Sequence, residues 1–188
     1  MADQLKVLVI CGSLRKGSFN AAVARALPGL APPELALTPA PSFANFPLYN
    51  ADDQTAKGFP ADVTAWCDAI RAADAVIIVS PEYNWSIPGG LKNAIDWASR
   101  LKEVPFKDKP VALQSASAGQ VGGARMQYHL RMSLTQVDAI LFGKPEVFVN
   151  FAAKKIDEKT GELTDDAVKD VIKQQLAAFA KFIKRVKV

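Results

Sequence analysis

The residues best suited to chemistry form a polar stretch, CGSLRKGSFN, between an apolar run and a helix-like segment. Gly12 and Gly17 permit a tight turn and a close approach of backbone to a ligand. The free N–H groups at the start of a helix attract anions, and Arg15 can form paired, charge-assisted hydrogen bonds to phosphate oxygens. The stretch adds three polar side chains, Ser13, Ser18 and Asn20. We interpret it as a phosphate cradle.

Two known phosphate motifs come close to this stretch without matching it. A nucleoside triphosphate loop reads G-x-x-x-x-G-K-[ST]; Gly12 and Gly17 have that spacing, but Ser18 follows where the lysine should be. The dinucleotide pattern G-x-G-x-x-G is absent. A single phosphate held by hydroxyl groups fits better than a triphosphate with its metal. The alternative is a hydrophilic turn that only caps a helix.

Two further polar stretches follow apolar runs, SPEYNWSIPGGLKNAIDW and SASAGQVGG. In the first, Tyr83 and Trp85 alternate with polar side chains, so a planar ligand can lie against the backbone and meet its N–H groups. The alternative is that both are surface aromatic residues of no special role. The second offers small residues and free amides, as a wall close to a flat ligand requires.

Cysteine and histidine are too scarce for most catalytic constellations. Cys11 and Cys67 are far apart and make no metal-ligand spacing. His129 is the only histidine, which excludes most Ser-His-Asp, Cys-His and multi-histidine zinc sites. We therefore assign no catalytic side chain and no metal ligand, and we expect the cysteines to be packing positions.

The elements that position these stretches follow from hydrophobic periodicity. The predicted strands are 5–11, 34–38, 74–80, 110–116 and 144–149. The predicted helices are 19–27, ended by Pro28 and Gly29, then 62–72, 88–100, 122–137 and 164–187. This alternation predicts an α/β fold, a doubly wound five-stranded parallel sheet with helices on both faces. With strand order 2-1-3-4-5, the three polar stretches converge at the carboxyl edge.

Length and composition narrow the class of protein. The 188 residues fit one domain covering 1–188. The net charge of +4 is far from a nucleic-acid signature. No run reaches the roughly 20 apolar residues of a membrane span, and the first residues lack the basic start of a signal peptide. We expect a cytoplasmic protein. The amphipathic last helix reads as cover for the sheet, or as a membrane-surface or partner helix.

The stretches GSLRKGSFN, SPEYNWSIPGGLKNAIDW and SASAGQVGG resemble the NADPH-dependent FMN reductase family of flavodoxin-like proteins, in its branch of bacterial quinone and chromate reductases. The resemblance implies a flavodoxin-like sheet and FMN bound without a covalent link. It implies phosphate binding by Ser13, Arg15, Ser18, Phe19 and Asn20. It implies contacts to the isoalloxazine ring from Pro81, Glu82, Tyr83, Asn84 and Ser117.

The implied reaction has two halves: a hydride passes from NADPH or NADH to FMN, and electrons then pass to a quinone or another acceptor such as chromate. The cofactor carries the chemistry, so no side-chain acid or base is required. A flavodoxin-like electron carrier and a non-catalytic FMN sensor are the alternatives. The choice between the nicotinamides stays open, because the basic candidates for a 2′-phosphate are not placed by sequence: Arg100, Lys102 and Arg125.

The segment 38–60 is too long for an ordinary connection and carries four apolar residues in a proline-rich context: Phe43, Phe46, Leu48 and Tyr49. They need cover, either from the domain's own sheet edge or from a second subunit. In the second case, Leu48, Tyr49 and Asn50 lie near the flavin of that subunit.

A second contact between subunits involves a predicted helix. Arg125 and Tyr128 are three residues apart and share a face. They can bond Glu146 across a symmetric contact, or within the chain. The resemblance implies a homodimer or homotetramer.

Overall fold

The computed structural model describes residues 4–186. The strands are β1 (Leu5–Cys11), β2 (Leu35–Pro39), β3 (Ala75–Val79), β4 (Pro110–Ala116), β5 (Ile140–Leu141) and β6 (Val147–Val149). The helices are α1 (Phe19–Leu30), α2 (Ala51–Lys57), α3 (Ala61–Ala72), α4 (Gly89–Ala98), α5 (Ala124–Gln136) and α6 (Asp166–Val186), with a 3₁₀ turn at Ala152–Lys154. Across residues 4–186, no helix is both long enough and apolar enough to cross a membrane.

All strand pairs are parallel, and the order is β2-β1-β3-β4-β5, as predicted. The fifth position is divided, because β5 pairs with the start of β4 and β6 pairs with its end. The prediction of one strand over 144–149 was therefore wrong at its start. Pro145 lies between the two short strands and has no N–H to donate to a ladder.

The sheet is covered on both faces, because successive side chains of each strand point to opposite sides. Val7 and Val9 of β1 pack with α1 and α6, whereas Leu8 and Ile10 pack with α3, α4 and α5. Every residue of β3 is buried. This central strand is therefore continuously apolar, as expected for a strand covered on both faces.

Two helices differ from the prediction. Helix α1 continues through Pro28 to Leu30, although Pro28 and Gly29 were expected to end it. Pro28 is exposed and near the end of the helix, so the proline costs one hydrogen bond without disturbing the core. Helix α6 begins at Asp166; Lys187, which ended the predicted helix, lies outside the described residues.

The segment 38–60 contains helix α2, which the sequence pattern did not predict. Phe43 is buried, Phe46 meets the Trp66 ring edge-on at 6.1 Å, and Tyr49 meets Trp97 at 5.1 Å. The chain itself therefore covers three of the four apolar residues, using helices α3 and α4. Leu48 alone stays exposed, at 84% of its surface.

Helix α6 lies against the sheet. Its buried side consists mainly of large apolar residues, Ile172, Leu176, Phe179 and Ile183, in the same core as α1. The apolar side of the amphipathic helix therefore covers the sheet, which was the first of its two interpretations.

Candidate active site

Three loops meet at the carboxyl edge of the sheet: the first loop (residues 12–18), the second loop (80–88) and the third loop (117–123). The N–H of Gly12 donates to the carbonyl of Val79 at 2.8 Å, and Ser80 donates to Gln114 at 3.0 Å. A Cβ atom on Gly12 would lie 2.7 Å from the Cβ atom of Ser80. Only glycine therefore lets the first and second loops approach so closely.

The first loop leads into α1 with free hydrogen-bond donors. The hydroxyl of Ser18 caps the helix, accepting from the N–H groups of Asn20 at 3.2 Å and Ala21 at 3.3 Å. Among the described residues, the N–H groups of residues 16–19 have no hydrogen-bond acceptor. The first turn of α1 also has no acidic side chain. This helix end can therefore receive an anion.

Arg15 stands beside these donors with its charge available. It is exposed, and its guanidinium carbon lies 5.8 Å from the centre of the Phe19 ring. Its backbone N–H donates to the hydroxyl of Ser13 at 3.4 Å. Arg15 forms no ion pair with any residue in 4–186. A phosphate at the start of α1 would fit this charge.

Asn20, the first-turn residue of α1 that follows Phe19, connects the helix to strand β4. Its side chain is 2% exposed, and its amide donates to the carbonyl of Ala116 at 2.9 Å. Its side-chain oxygen accepts from the N–H of Ala116 at 2.8 Å. Both polar atoms of the side chain therefore bond the end of β4, and Asn20 fixes α1 against that strand.

The second loop contains a two-residue turn of unusual composition. Tyr83 and Ser86 exchange backbone hydrogen bonds at 3.0 and 2.9 Å. Between them, Asn84 and Trp85 both have positive φ, 48° and 66°. This conformation is common for asparagine and costs about 1–2 kcal/mol for other residues with a side chain. Within the described chain, the N–H groups of residues 82, 84 and 85 have no partner. Pro81, just before them, is buried.

The side chain of Glu82 points to α5. One carboxylate oxygen accepts from the N–H of Met126 at 3.2 Å, and the other lies 3.3 Å from a guanidinium nitrogen of Arg125. The Arg125 guanidinium also lies over the ring of Trp85, at 4.7 Å. Sequence reasoning missed this cluster, because the two partners are 43 positions apart. The one available signal was that α5 begins without a capping side chain.

The third loop is held from below by a buried polar chain. The hydroxyl of Ser115 donates to the carbonyl of Gly122 at 2.7 Å and accepts from Gln127 at 2.8 Å. The N–H of Ser117 donates to the carbonyl of Val149 at 3.0 Å, and its hydroxyl donates to the carbonyl of Gly119 at 3.4 Å. The hydroxyl oxygen can still accept a hydrogen bond from a ligand. The N–H groups of residues 118–121 have no acceptor among the described residues.

A cavity of about 620 Å³ opens next to the first loop. It is lined by residues 15–19 and, on the other side, by residues 156–161. Arg25 crosses it and donates to the carbonyl of Gly161 at 3.0 Å. Hydrogen bonds from Thr160 hold the pKa of the Asp157 carboxyl below its ordinary value. Sequence reasoning did not place residues 156–161 near the phosphate cradle.

Among the described residues, the surroundings of the two cysteines and of the histidine indicate no nucleophile and no metal site. Burial raises the pKa of the Cys11 thiol, and it raises that of Cys67 to about 12, so both stay protonated at neutral pH. Nδ1 of His129 lies 3.1 Å from the hydroxyl of Ser86. In the described part of the chain, no three potential ligands among His, Cys, Asp and Glu cluster as a metal site would need.

The edge as a whole suits one type of ligand. It offers an anion site at the start of α1, and free N–H groups on two loops that follow the adjacent strands β3 and β4. A molecule with a phosphate at one end and a flat, hydrogen-bonding ring at the other matches both parts. FMN is such a molecule.

Comparison with known proteins agrees with this description. Residues 5–154 match the family model for NADPH-dependent FMN reductase. A quinone reductase of Escherichia coli is 52% identical over 188 residues, covering all of both chains. An NAD(P)H-dependent FMN reductase of Pseudomonas aeruginosa is 46% identical over 187 residues, again with full coverage of both.

Solved structures show the same fold. The flavoenzyme NAD(P)H:(acceptor) oxidoreductase of Paracoccus denitrificans superposes with a TM-score of 0.85 at 33% identity, covering 96% of this chain and 98% of its own. A flavodoxin variant of Pseudomonas aeruginosa gives 0.56 at 16% identity, covering 96% and 99%, which supports the flavodoxin-like fold alone. With its sheet order, its loops and a family match over most of its length, the chain belongs to the NADPH-dependent FMN reductase family.

Proposed function

We propose that this protein, acting as one FMN-binding domain over 1–188, oxidises NADPH or NADH and reduces quinones. The observation that carries the proposal is the convergence, on one edge of the sheet, of an anion site and two loops with free N–H groups. Membership of the NADPH-dependent FMN reductase family supports it.

The residues that would hold FMN divide into two groups. Its phosphate would meet the N–H groups of residues 16–19, the hydroxyls of Ser13 and Ser18, and the Arg15 guanidinium. Its ring would lie along the backbone of residues 81–84, with the Ser117 hydroxyl on the other side. The N–H groups of residues 82 and 84 suit this role because they have no acceptor among the described residues.

FMN, when bound, supplies the two-electron chemistry that connects a nicotinamide to a quinone. The protein's part is to bind and orient. Arg15 and the positive end of α1 balance the phosphate charge. The fixed N–H groups of the loops present oriented dipoles to the ring. Tyr83 and Trp85 are exposed beside it, and they leave the mouth of the site open to planar substrates.

The names of the relatives support the choice of substrates. The Escherichia coli relative is a quinone reductase, and the Pseudomonas relative is named for both nicotinamides. We extend the proposal to both donors, and to chromate as a further acceptor of an open flavin site. Because nicotinamide nucleotides are intracellular reductants, the proposed activity belongs in the cytoplasm.

The proposal includes assembly into a homodimer or homotetramer. Leu48 and Tyr128 are large and exposed, and burial between subunits would remove them from water. Arg125 is paired with Glu82, and Glu146 lies 3.8 Å from Arg131. To contact each other across subunits, Arg125 would have to leave Glu82 and Glu146 would have to leave Arg131. Tyr128 is exposed and could contact a second subunit without such an exchange.

Steady-state kinetics with purified, FMN-loaded protein test the proposed function. NADPH and NADH are each assayed against a panel of quinones and against chromate, with FMN-free protein as the control. We expect quinone-dependent oxidation of at least one nicotinamide, lost when FMN is removed. An FMN-loaded protein that oxidises neither nicotinamide with any quinone would contradict the proposal.

A further inference from the structure

Helix α5 begins directly after the third loop and lacks a cap of its own. The residue before it is Gly123, with φ of 90°, which has no side chain to accept a hydrogen bond. Its first turn also lacks an acidic residue. The first N–H groups of a helix need acceptors and carry a partial positive charge. The N–H of Ala124 finds an acceptor in the third loop, the carbonyl of Val121 at 3.2 Å. The next N–H groups must obtain their acceptor from elsewhere in the molecule.

Glu82 of the second loop supplies that acceptor. Its side chain is 12% exposed and bonds the N–H of Met126 at 3.2 Å. Arg125, held by the same carboxylate, covers the ring of Trp85 at 4.7 Å. The carboxylate thus connects the strained turn of the second loop to the first turn of α5.

The opposite side of the same helix start is held by β4. A Cβ atom on Gly123 would lie 2.8 Å from the Cβ atom of Ser115 and 3.9 Å from that of Glu82. The hydroxyl of Ser115 also donates to the carbonyl of Gly122, and it accepts from the side-chain amide of Gln127. The beginning of α5 is therefore fixed between the second loop and β4, and the third loop is fixed with it.

We propose that Glu82 is a positioning residue whose carboxylate sets the spacing between the second and third loops, the two walls of the ring site. The carboxylate acts through the first turn of α5 and does not touch the ring, whereas the backbone N–H of the same residue belongs to the ring site. The inference rests on the proposed function, because the value of that spacing is in holding FMN. Loss of the carboxylate frees the N–H of Met126 and releases Arg125 from its place over Trp85.

Two variants and one control test this role. Glu82→Ala removes the acceptor; Glu82→Gln keeps an oxygen that can accept from Met126. The control is Asp165→Ala, because Asp165 accepts from the N–H of Val168 at 2.8 Å and so caps α6 in a similar way. The measurements are FMN affinity by fluorescence titration and hydrogen exchange of the FMN-free protein over residues 82–86 and 118–126.

Glu82→Ala is expected to weaken FMN binding about tenfold, as for one lost charge-assisted hydrogen bond. Exchange should rise in both loops together. Glu82→Gln should restore most of the affinity, and Asp165→Ala should leave it unchanged. Unchanged FMN affinity in Glu82→Ala, or faster exchange confined to α5, would overturn the inference. If the unmodified protein binds no FMN, the proposed function fails, and exchange in the FMN-free protein still tests the coupling.

Discussion

Arg15 is the residue whose charge the proposed phosphate site depends on most. It is exposed, has no ion-pair partner within residues 4–186, and stands beside four free N–H groups. Arg15→Ala should weaken FMN binding by roughly ten- to a hundredfold, since charge-assisted hydrogen bonds contribute about 1.5–3 kcal/mol. Fluorescence titration measures it. Lys16→Ala, an adjacent loss of the same charge, is the control and should have a smaller effect. Equal affinities in Arg15→Ala and the unmodified protein would remove Arg15 from the site.

The buried thiol of Cys67 should make the free energy of unfolding depend on pH in alkaline solution. It is fully buried, and burial raises the pKa of its thiol from 9.0 to about 12. The folded protein therefore keeps a proton that the unfolded chain releases above pH 9. This contribution is present below pH 9 and is lost as the pH rises towards 12, by up to about 1.4 kcal/mol per pH unit.

The comparison is between the unmodified protein and Cys67→Ala, unfolded with urea at several pH values from 7.5 to 11. The variant should be less stable at neutral pH because of its cavity, but its stability should fall less steeply above pH 9. Parallel decline of the two proteins would show that Cys67 does not titrate on unfolding.

At the residue scale, the sequence indicated which loops matter better than what each side chain does. The loop around Arg15 and the loop around Asn84 were found from residue type and spacing. The contacts that Asn20 and Glu82 make within the chain were not predicted, because each side chain bonds a distant element, β4 in one case and α5 in the other. Such partners are set by the packing of the sheet and leave no local pattern.

Among the elements, helix α6 offers the most direct test of how core packing stabilises the fold. Phe179 is fully buried and lies 5.4 Å from Phe142, ring centre to ring centre. Phe179→Ala should lower the free energy of unfolding by about 3–5 kcal/mol, because the surrounding sheet and helices cannot close the cavity. Urea unfolding measures it. Val171→Ala, on the more exposed side of the same helix, should cost less than about 1 kcal/mol. Similar losses in both variants would mean that α6 does not cover the core as described.

Sequence periodicity located the elements well wherever burial is uniform. Strand β3 is buried at every position and was found directly from its apolar run. Strands β5 and β6 share one place in the sheet, and neither is long enough to show a period of two. Helix α2 has no buried residue, so it has no apolar stripe to reveal it; Asn50 caps it by accepting from Asp52 at 2.9 Å.

At the scale of the whole molecule, the prediction concerns the number of subunits, which we propose to be two or four. Light scattering on the FMN-loaded protein, over a dilution series, should give the mass of a dimer or tetramer. Tyr128→Ala should lower that mass or make it depend on concentration, because it removes an exposed aromatic ring. Val171→Ala is the control and should leave the measured mass unchanged. The mass of one chain at every concentration would contradict the assembly.

Anaerobic mixing of the FMN-loaded protein with one equivalent of NADPH, and separately of NADH, tests whether the bound flavin accepts a hydride from a nicotinamide. The yellow absorbance of the bound flavin should bleach rapidly with at least one of them, and a quinone added afterwards should restore it. Free FMN at the same concentration is the control and should bleach far more slowly. Bound flavin that keeps its colour with both nicotinamides would contradict the proposed reductase activity and favour an electron carrier or an FMN sensor.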